Sequence, residues 1–199
     1  MAGEGAKIID LVDNVPDIVA DAPDLITVLI GSNDACAPSI DDMTSVDEFA
    51  ASAEQLLVPL SAQLPDSMIL AMSIPDLEQL WRIGHDDAAA VRAWGSSPAC
   101  RSLLADPQST ATADAERRAE VGERVREFNR VLGDACTALP NCIHDGGAVA
   151  GYEFSVDEIS SIDHFHPSLA GQQAIAGLAW TALEVGAARL DTAAAGAAP

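Results

Sequence analysis

Apolar positions along the chain switch between helical and strand-like spacing. Ile8, Ile9, Leu11, Val12, Val15, Ile18 and Val19 recur at intervals of three and four, which predicts an early helix that Pro16 stops or bends near Val15. Residues 25–30, LITVLI, form a short unbroken apolar run between Pro23 and Gly31; its β-branched content predicts a buried strand. Ser45, with Glu48 three residues on, is a capping-box start for a helix reaching Leu64, and Phe49, Ala53, Leu56, Leu57 and Leu60 share its apolar face despite Pro59. Residues 68–74 are a second strand closed by Pro75 and Asp76. Strand, helix, strand at this spacing implies a right-handed crossover and a parallel sheet, hence an α/β fold.

Residues 77–107 lose this regularity. Gly84, Gly95, Pro98 and Pro107 punctuate them, and they are expected to form an insertion with one or two short helices, carrying Trp81 and Trp94 over a cleft. Residues 111–139 predict a long helix with Ala119, Val121, Val125, Phe128, Leu132 and Ala135 facing in. Its Arg117, Arg118, Arg124, Arg126 and Arg130, mixed with Glu, are expected to be a solvated face. Residues 141–145 are a short candidate strand ended by Gly146 and Gly147, and a final helix spans 168–188, capped by Ser168, with Leu169, Ile175, Leu178 and Leu183 inward. Residues 1–188 are expected to be one domain, and 189–199 a frayed, low-complexity tail. No internal repeat is present.

The length, 199 residues, suits one domain with a substantial core. A net charge of −21 disfavours nucleic acid and anionic lipid as partners. LITVLI is far short of the roughly 18–20 residues of a membrane-spanning helix. The N-terminus lacks the pattern of a signal peptide. Cys36, Cys100, Cys136 and Cys142 are even in number and without CxxC spacing, which points to disulfides and an oxidising compartment, with buried free thiols as the alternative. Of three possible pairings, Cys136 with Cys142, near each other in sequence, and Cys36 with Cys100 are favoured.

Two stretches carry chemistry. Asp163 and His166 sit three residues apart in a loop, before Pro167 and a helix start, so one loop can hold a general base and the carboxylate that orients it. Turn chemistry and a surface histidine explain the same spacing without any function. A zinc site on His164, His166 and Asp163 lacks a further ligand cluster. Gly31-Ser32-Asn33-Asp34 follows the first strand, at the end where open α/β sheets place their sites, and the Asn33 amide can donate to a developing oxyanion. An ordinary turn also uses these residues.

Taken together, Gly31-Ser32-Asn33-Asp34 and Asp163 with His166, in this order and about 130 residues apart, resemble the Gly-x-Asn-Asp and Asp-x-x-His blocks of the GDSL/SGNH hydrolases. The stretch from Gly5 to Leu11 is similar to that family's glycine block, and Ser73-Ile74-Pro75-Asp76 is similar to a stretch in secreted actinobacterial esterases and lipases. The resemblance implies a three-layer, flavodoxin-like parallel sheet and serine ester hydrolysis. In it His166 is the base, Asp163 its orienting acid, and Gly5 (with Gly3 as runner-up) and Asn33 the oxyanion donors; no metal or organic cofactor takes part. It implies a small-molecule or lipid ester as substrate, a monomer, and a secreted protein.

One block of that family does not occur: no Gly-Asp-Ser lies in these residues. The expectation is that the first strand and its nucleophilic serine belong to a longer protein. The alternatives are a non-catalytic ligand-binding protein on the same fold, and Ser32 as the nucleophile, although it occupies a variable position of its block. His85-Asp86-Asp87 and His144-Asp145 are expected to be solvated polar clusters, and Trp81 and Trp94 to be packing residues.

Overall fold

The period-two alternation of the strands decides which side chains meet which layer. In the computed structural model residues 3 and 5–196 are described, 189–196 by backbone alone. Strands β1 (Leu25–Val28), β2 (Met68–Ala71) and β3 (Cys142–His144) pair in parallel in the order β1-β2-β3, with Ile26 opposite Ile69 and Leu70 opposite Ile143. Ile26, Val28, Ile69, Ala71 and Cys142 face the larger core. Leu70 and Ile143, with Met72 just beyond β2, face the opposite side, against Ala179, Ala182 and Leu183. The molecule is therefore α/β in three layers.

The helices are α1 (Ile8–Val12), α2 (Val15–Asp21), α3 (Ser32–Ala35), α4 (Val46–Gln63), α5 (Glu78–Gly84), α6 (Ala88–Ser96), α7 (Arg101–Leu104), α8 (Thr112–Thr137) and α9 (Leu169–Gly196). The larger core lies where α4 meets α8, and its centre is the stacked pair Phe49 and Phe128, with ring centroids 4.0 Å apart. The α4 start is as the sequence predicts: Ser45 Oγ accepts the Glu48 N–H, and Glu48 accepts from the Ser45 N–H and Oγ–H.

Several expectations are corrected. The early helix is two helices, and Pro16 lies in the first turn of α2, where its missing N–H costs nothing. Both long strands are shorter than their apolar runs, ending at Val28 and at Ala71. The insertion forms three helices, α5 to α7. Arg118 is buried, its guanidinium 4.1 Å from the Trp81 ring centre and donating to the Ser109 carbonyl, while Trp81 in turn stacks on His85. Leu169 is exposed, at the first position of α9. The backbone of α9 continues to Gly196 through the stretch expected to fray, because its alanines are strong helix formers; 197–199 lie outside the described residues.

On the α9 side, Leu25, Thr27 and Leu29 of the β1 segment border a groove of about 460 Å³. Leu70 and Met72 form its floor, and Ile175, Ala179, Trp180 and Leu183 its far wall. Among the described residues β1 has a strand neighbour on one side only.

Candidate active site

The loop carrying Asp163 and His166 is closed by its flanks before either side chain is considered. The 159–168 stretch doubles back so that Ile159 bridges Pro167, the Ser168 N–H donates to the Glu158 carbonyl at 2.8 Å, and the Ser160 N–H donates to the His166 carbonyl at 2.8 Å. Within it, Asp163 Oδ1 accepts the N–H groups of Phe165 (2.9 Å) and His166 (3.1 Å), and Oδ2 lies 2.8 Å from His166 Nδ1. Burial alone would raise the Asp163 pKa. Hydrogen bonds from the His166 ring, the Phe165 and His166 amides and Ser160 outweigh it and lower the carboxyl to about 2. A carboxylate ionised at neutral pH can only accept, so Nδ1 carries a proton, and in a neutral imidazole Nε2 is then the acceptor. The His166 side chain is 66% exposed.

The second cluster begins where β1 ends. Gly31 has φ 116°, and a Cβ there would overlap Ile74 and crowd Phe49, so only glycine lets the chain turn here against the core. Four-residue α3 follows and points two side chains back at the N-terminal segment: the Asn33 side-chain amide donates to the Ala6 carbonyl at 2.9 Å, and Asp34 Oδ2 accepts the Ile8 N–H at 3.0 Å. Burial pushes the Asp34 carboxyl pKa up against the lowering effect of that N–H. Gly5, exposed and with φ 71°, is thus held next to Asn33 through Ala6. An amide NH₂ has two hydrogens, so the bond to Ala6 leaves Asn33 one more to donate.

A cavity of about 270 Å³ joins the two clusters. His166, Asn33 and Ser32 line it beside apolar Leu80, Ile83, Phe154 and Phe165. Asp163 stands behind His166, and neither it nor Gly5 lines this cavity. Nothing in the sequence pattern singles out Gln79, which braces a wall of this cavity, or Asn129, which braces a segment beside it. The Gln79 side chain donates to the Tyr152 carbonyl and accepts the Phe154 N–H, at 2.8 and 2.9 Å. Asn129, on α8, brackets Ile74 in the same way, accepting its N–H at 2.7 Å and donating to its carbonyl at 3.0 Å. Each is a side-chain amide pairing with a backbone unit 55 to 75 residues away, and such pairing leaves no local signature.

His144-Asp145 is not a solvated cluster. Asp145 is buried and accepts from Ser73 N–H and Oγ–H, Gly147 N–H and Val149 N–H, while Ser73 Oγ accepts the Ala150 N–H. The reason is topological: parallel pairing sets the ends of β2 and β3 side by side, so Ser73 and Asp145 meet although 72 residues separate them. Cys36 is paired with Cys100 and Cys136 with Cys142. Among the described residues no helix is long and apolar enough to cross a membrane.

Comparison with known proteins bears on this geometry. Among curated proteins none matches the chain significantly. A solved protein of Parabacteroides merdae ATCC 43184 that carries the GDSL-like lipase name superposes with a TM-score of 0.56 over 89% of this chain and 68% of its own, at 20% identity, a likeness of fold. The family model described as GDSL-like Lipase/Acylhydrolase matches residues 2–178, nearly the whole described length. With the flavodoxin-like sheet, and with the two motif blocks opening on one cavity, this chain belongs to the GDSL-like lipase/acylhydrolase family.

Proposed function

We propose that this chain carries the base, the orienting acid and the oxyanion donors of a serine ester hydrolase. The observation that carries the reading is the 2.8 Å contact between Asp163 and His166 Nδ1, with the ring lining the cavity that also holds Asn33. In the reaction, Nε2 of His166 takes the proton of a serine hydroxyl as its oxygen bonds to the acyl carbon. The Asn33 amide and the Gly5 N–H donate to the oxygen that gains charge, and Asp163 stabilises the imidazolium. The same proton then goes to the departing alcohol, and a water molecule repeats the sequence to release the acid. Leu80, Ile83, Phe154 and Phe165 make the cavity suited to an apolar acyl or alkyl group of modest size.

The nucleophile is assigned to a Gly-Asp-Ser strand outside these 199 residues. Leu29, Pro167 and Ile175 border both the groove beside β1 and the cavity, so a strand added to the free side of β1 would run its end to His166. Covering that apolar groove also removes a strand edge open to unwanted pairing. Ser32 supports a second reading, because it lines the cavity with His166. The paired cysteines suit an oxidising, extracytoplasmic setting.

Fluorophosphonate labelling, read by mass spectrometry on this chain and on one extended upstream in frame, tests the assignment. Label confined to a Gly-Asp-Ser serine of the extended protein, and lost in His166→Ala, is the expected result. Label on Ser32 of the short chain establishes the second reading. With neither labelled, the proposal gives way to a ligand-binding role.

A further inference from the structure

Among the described residues, the insertion contains one side chain that hydrogen-bonds to the acid–base loop. Trp94, near the end of α6, is almost fully buried, and its indole N–H donates to the His164 carbonyl at 2.8 Å. Among the described residues this is the one hydrogen bond to the 160–166 loop from any element outside the 155–168 stretch. It lands at a telling place. His164 lies between Asp163 and His166 and has φ 54°, a left-handed conformation that residues with a side chain seldom adopt unless held. Its own N–H donates to the Ser160 carbonyl at 2.9 Å, so both faces of this peptide segment are engaged. Gly84 makes room for the indole, since a Cβ there would overlap the ring.

The other end of the same segment is tied to the Asn33 side of the site. Cys100 is bonded to Cys36, the residue following α3. Ser102 donates its N–H to the Ala37 carbonyl (2.9 Å) and its Oγ–H to the Ala35 carbonyl (3.0 Å), and accepts the Ala37 N–H at 3.1 Å. Residues 94–102 therefore tie the loop that bears the base to the turn that bears the oxyanion donor.

We propose that Trp94 is a positioning residue: its N–H holds His164 left-handed, and this keeps Asp163 in register with His166 Nδ1. The inference rests on the proposed role of that pair, but its test does not require turnover. The readout is the downfield proton resonance of a His166 Nδ1–H hydrogen-bonded to a carboxylate, assigned by its loss in Asp163→Asn and observed on the chain itself. Trp94→Phe keeps an aromatic ring in the Gly84 notch and removes the donor. The expected result is loss or exchange broadening of the resonance with a cooperative unfolding transition retained. In the extended, active form, kcat would fall about fivefold with KM nearly unchanged, the size of one neutral hydrogen bond lost.

If Trp94→Phe does not fold, site-specific replacement of Trp94 by benzothienylalanine, which matches the indole in shape but lacks the N–H, gives the same reading. A resonance that persists in either variant overturns the proposal and leaves Trp94 as packing, with the hydrolase reading untouched. A native chain without the resonance removes the Asp163–His166 pair itself, and both proposals fall together.

Discussion

At the scale of single residues, charge and hydrogen bonding are set by a few short contacts. Asp163 is the group whose protonation matters most to the loop. Its folded pKa, about 2, lies below the ordinary aspartate value of roughly 3.9. A depressed folded pKa means that its contribution to stability is fully present above about pH 4, and is lost as pH falls from there through about 2. Because the side chain is partly exposed, solvent screens this contribution and it is modest. Urea melts between about pH 5 and pH 2 should show the native midpoint falling more steeply than that of Asp163→Asn, the two curves converging at the acid end; parallel curves would mean that the carboxylate is not held as described. The sequence placed Asp163 and His166 correctly on one loop because their partnership is local. It missed Gln79, Asn129 and the Ser73–Asp145 pair because each joins positions far apart in the chain, and it took Arg118 for a surface residue because the tryptophan covering it comes from the insertion.

Among the elements, periodicity was most legible where one face meets one layer. The α4 start, the course of α8 and the parallel pairing of the first two strands follow from capping and spacing. The insertion was the least legible because its three short helices are held by tertiary bonds and a disulfide instead of by a continuous apolar stripe. That difference has a measurable consequence. Closing a loop of 64 residues, Cys36–Cys100 restricts the unfolded chain far more than Cys136–Cys142, which closes one of 6. Chain-entropy reasoning gives about 4 kcal/mol for the first and about 2 kcal/mol for the second. Replacing both cysteines of each pair with alanine and comparing denaturant midpoints should reveal this order. The long-range bridge should also affect the site, since it anchors the segment that reaches His164. Equal losses would mean that the insertion is held chiefly by its packing.

For the molecule as a whole, the 199 residues carry a net charge of −21. Self-repulsion of that size destabilises the compact state, and salt relieves it. Raising sodium chloride from about 0.02 M to about 0.2 M should lift the thermal midpoint by a few degrees, as read by circular dichroism; a midpoint that falls would show that attractive pairs such as Arg117–Asp114 outweigh the repulsion. By itself the sequence determined the α/β class, the parallel pairing, the two motif blocks and the local Asp163–His166 partnership, because spacing, capping and turn chemistry act between near neighbours. Only the tertiary structure decided that Asn33 and His166 share a cavity, that Gln79 braces its Phe154 wall, that Asn129 brackets Ile74, and that the segment from Trp94 to Ser102 ties the His164 loop to the end of α3. Those contacts depend on how the sheet and its helices bring distant stretches together, and nothing in the local order of residues encodes that distance.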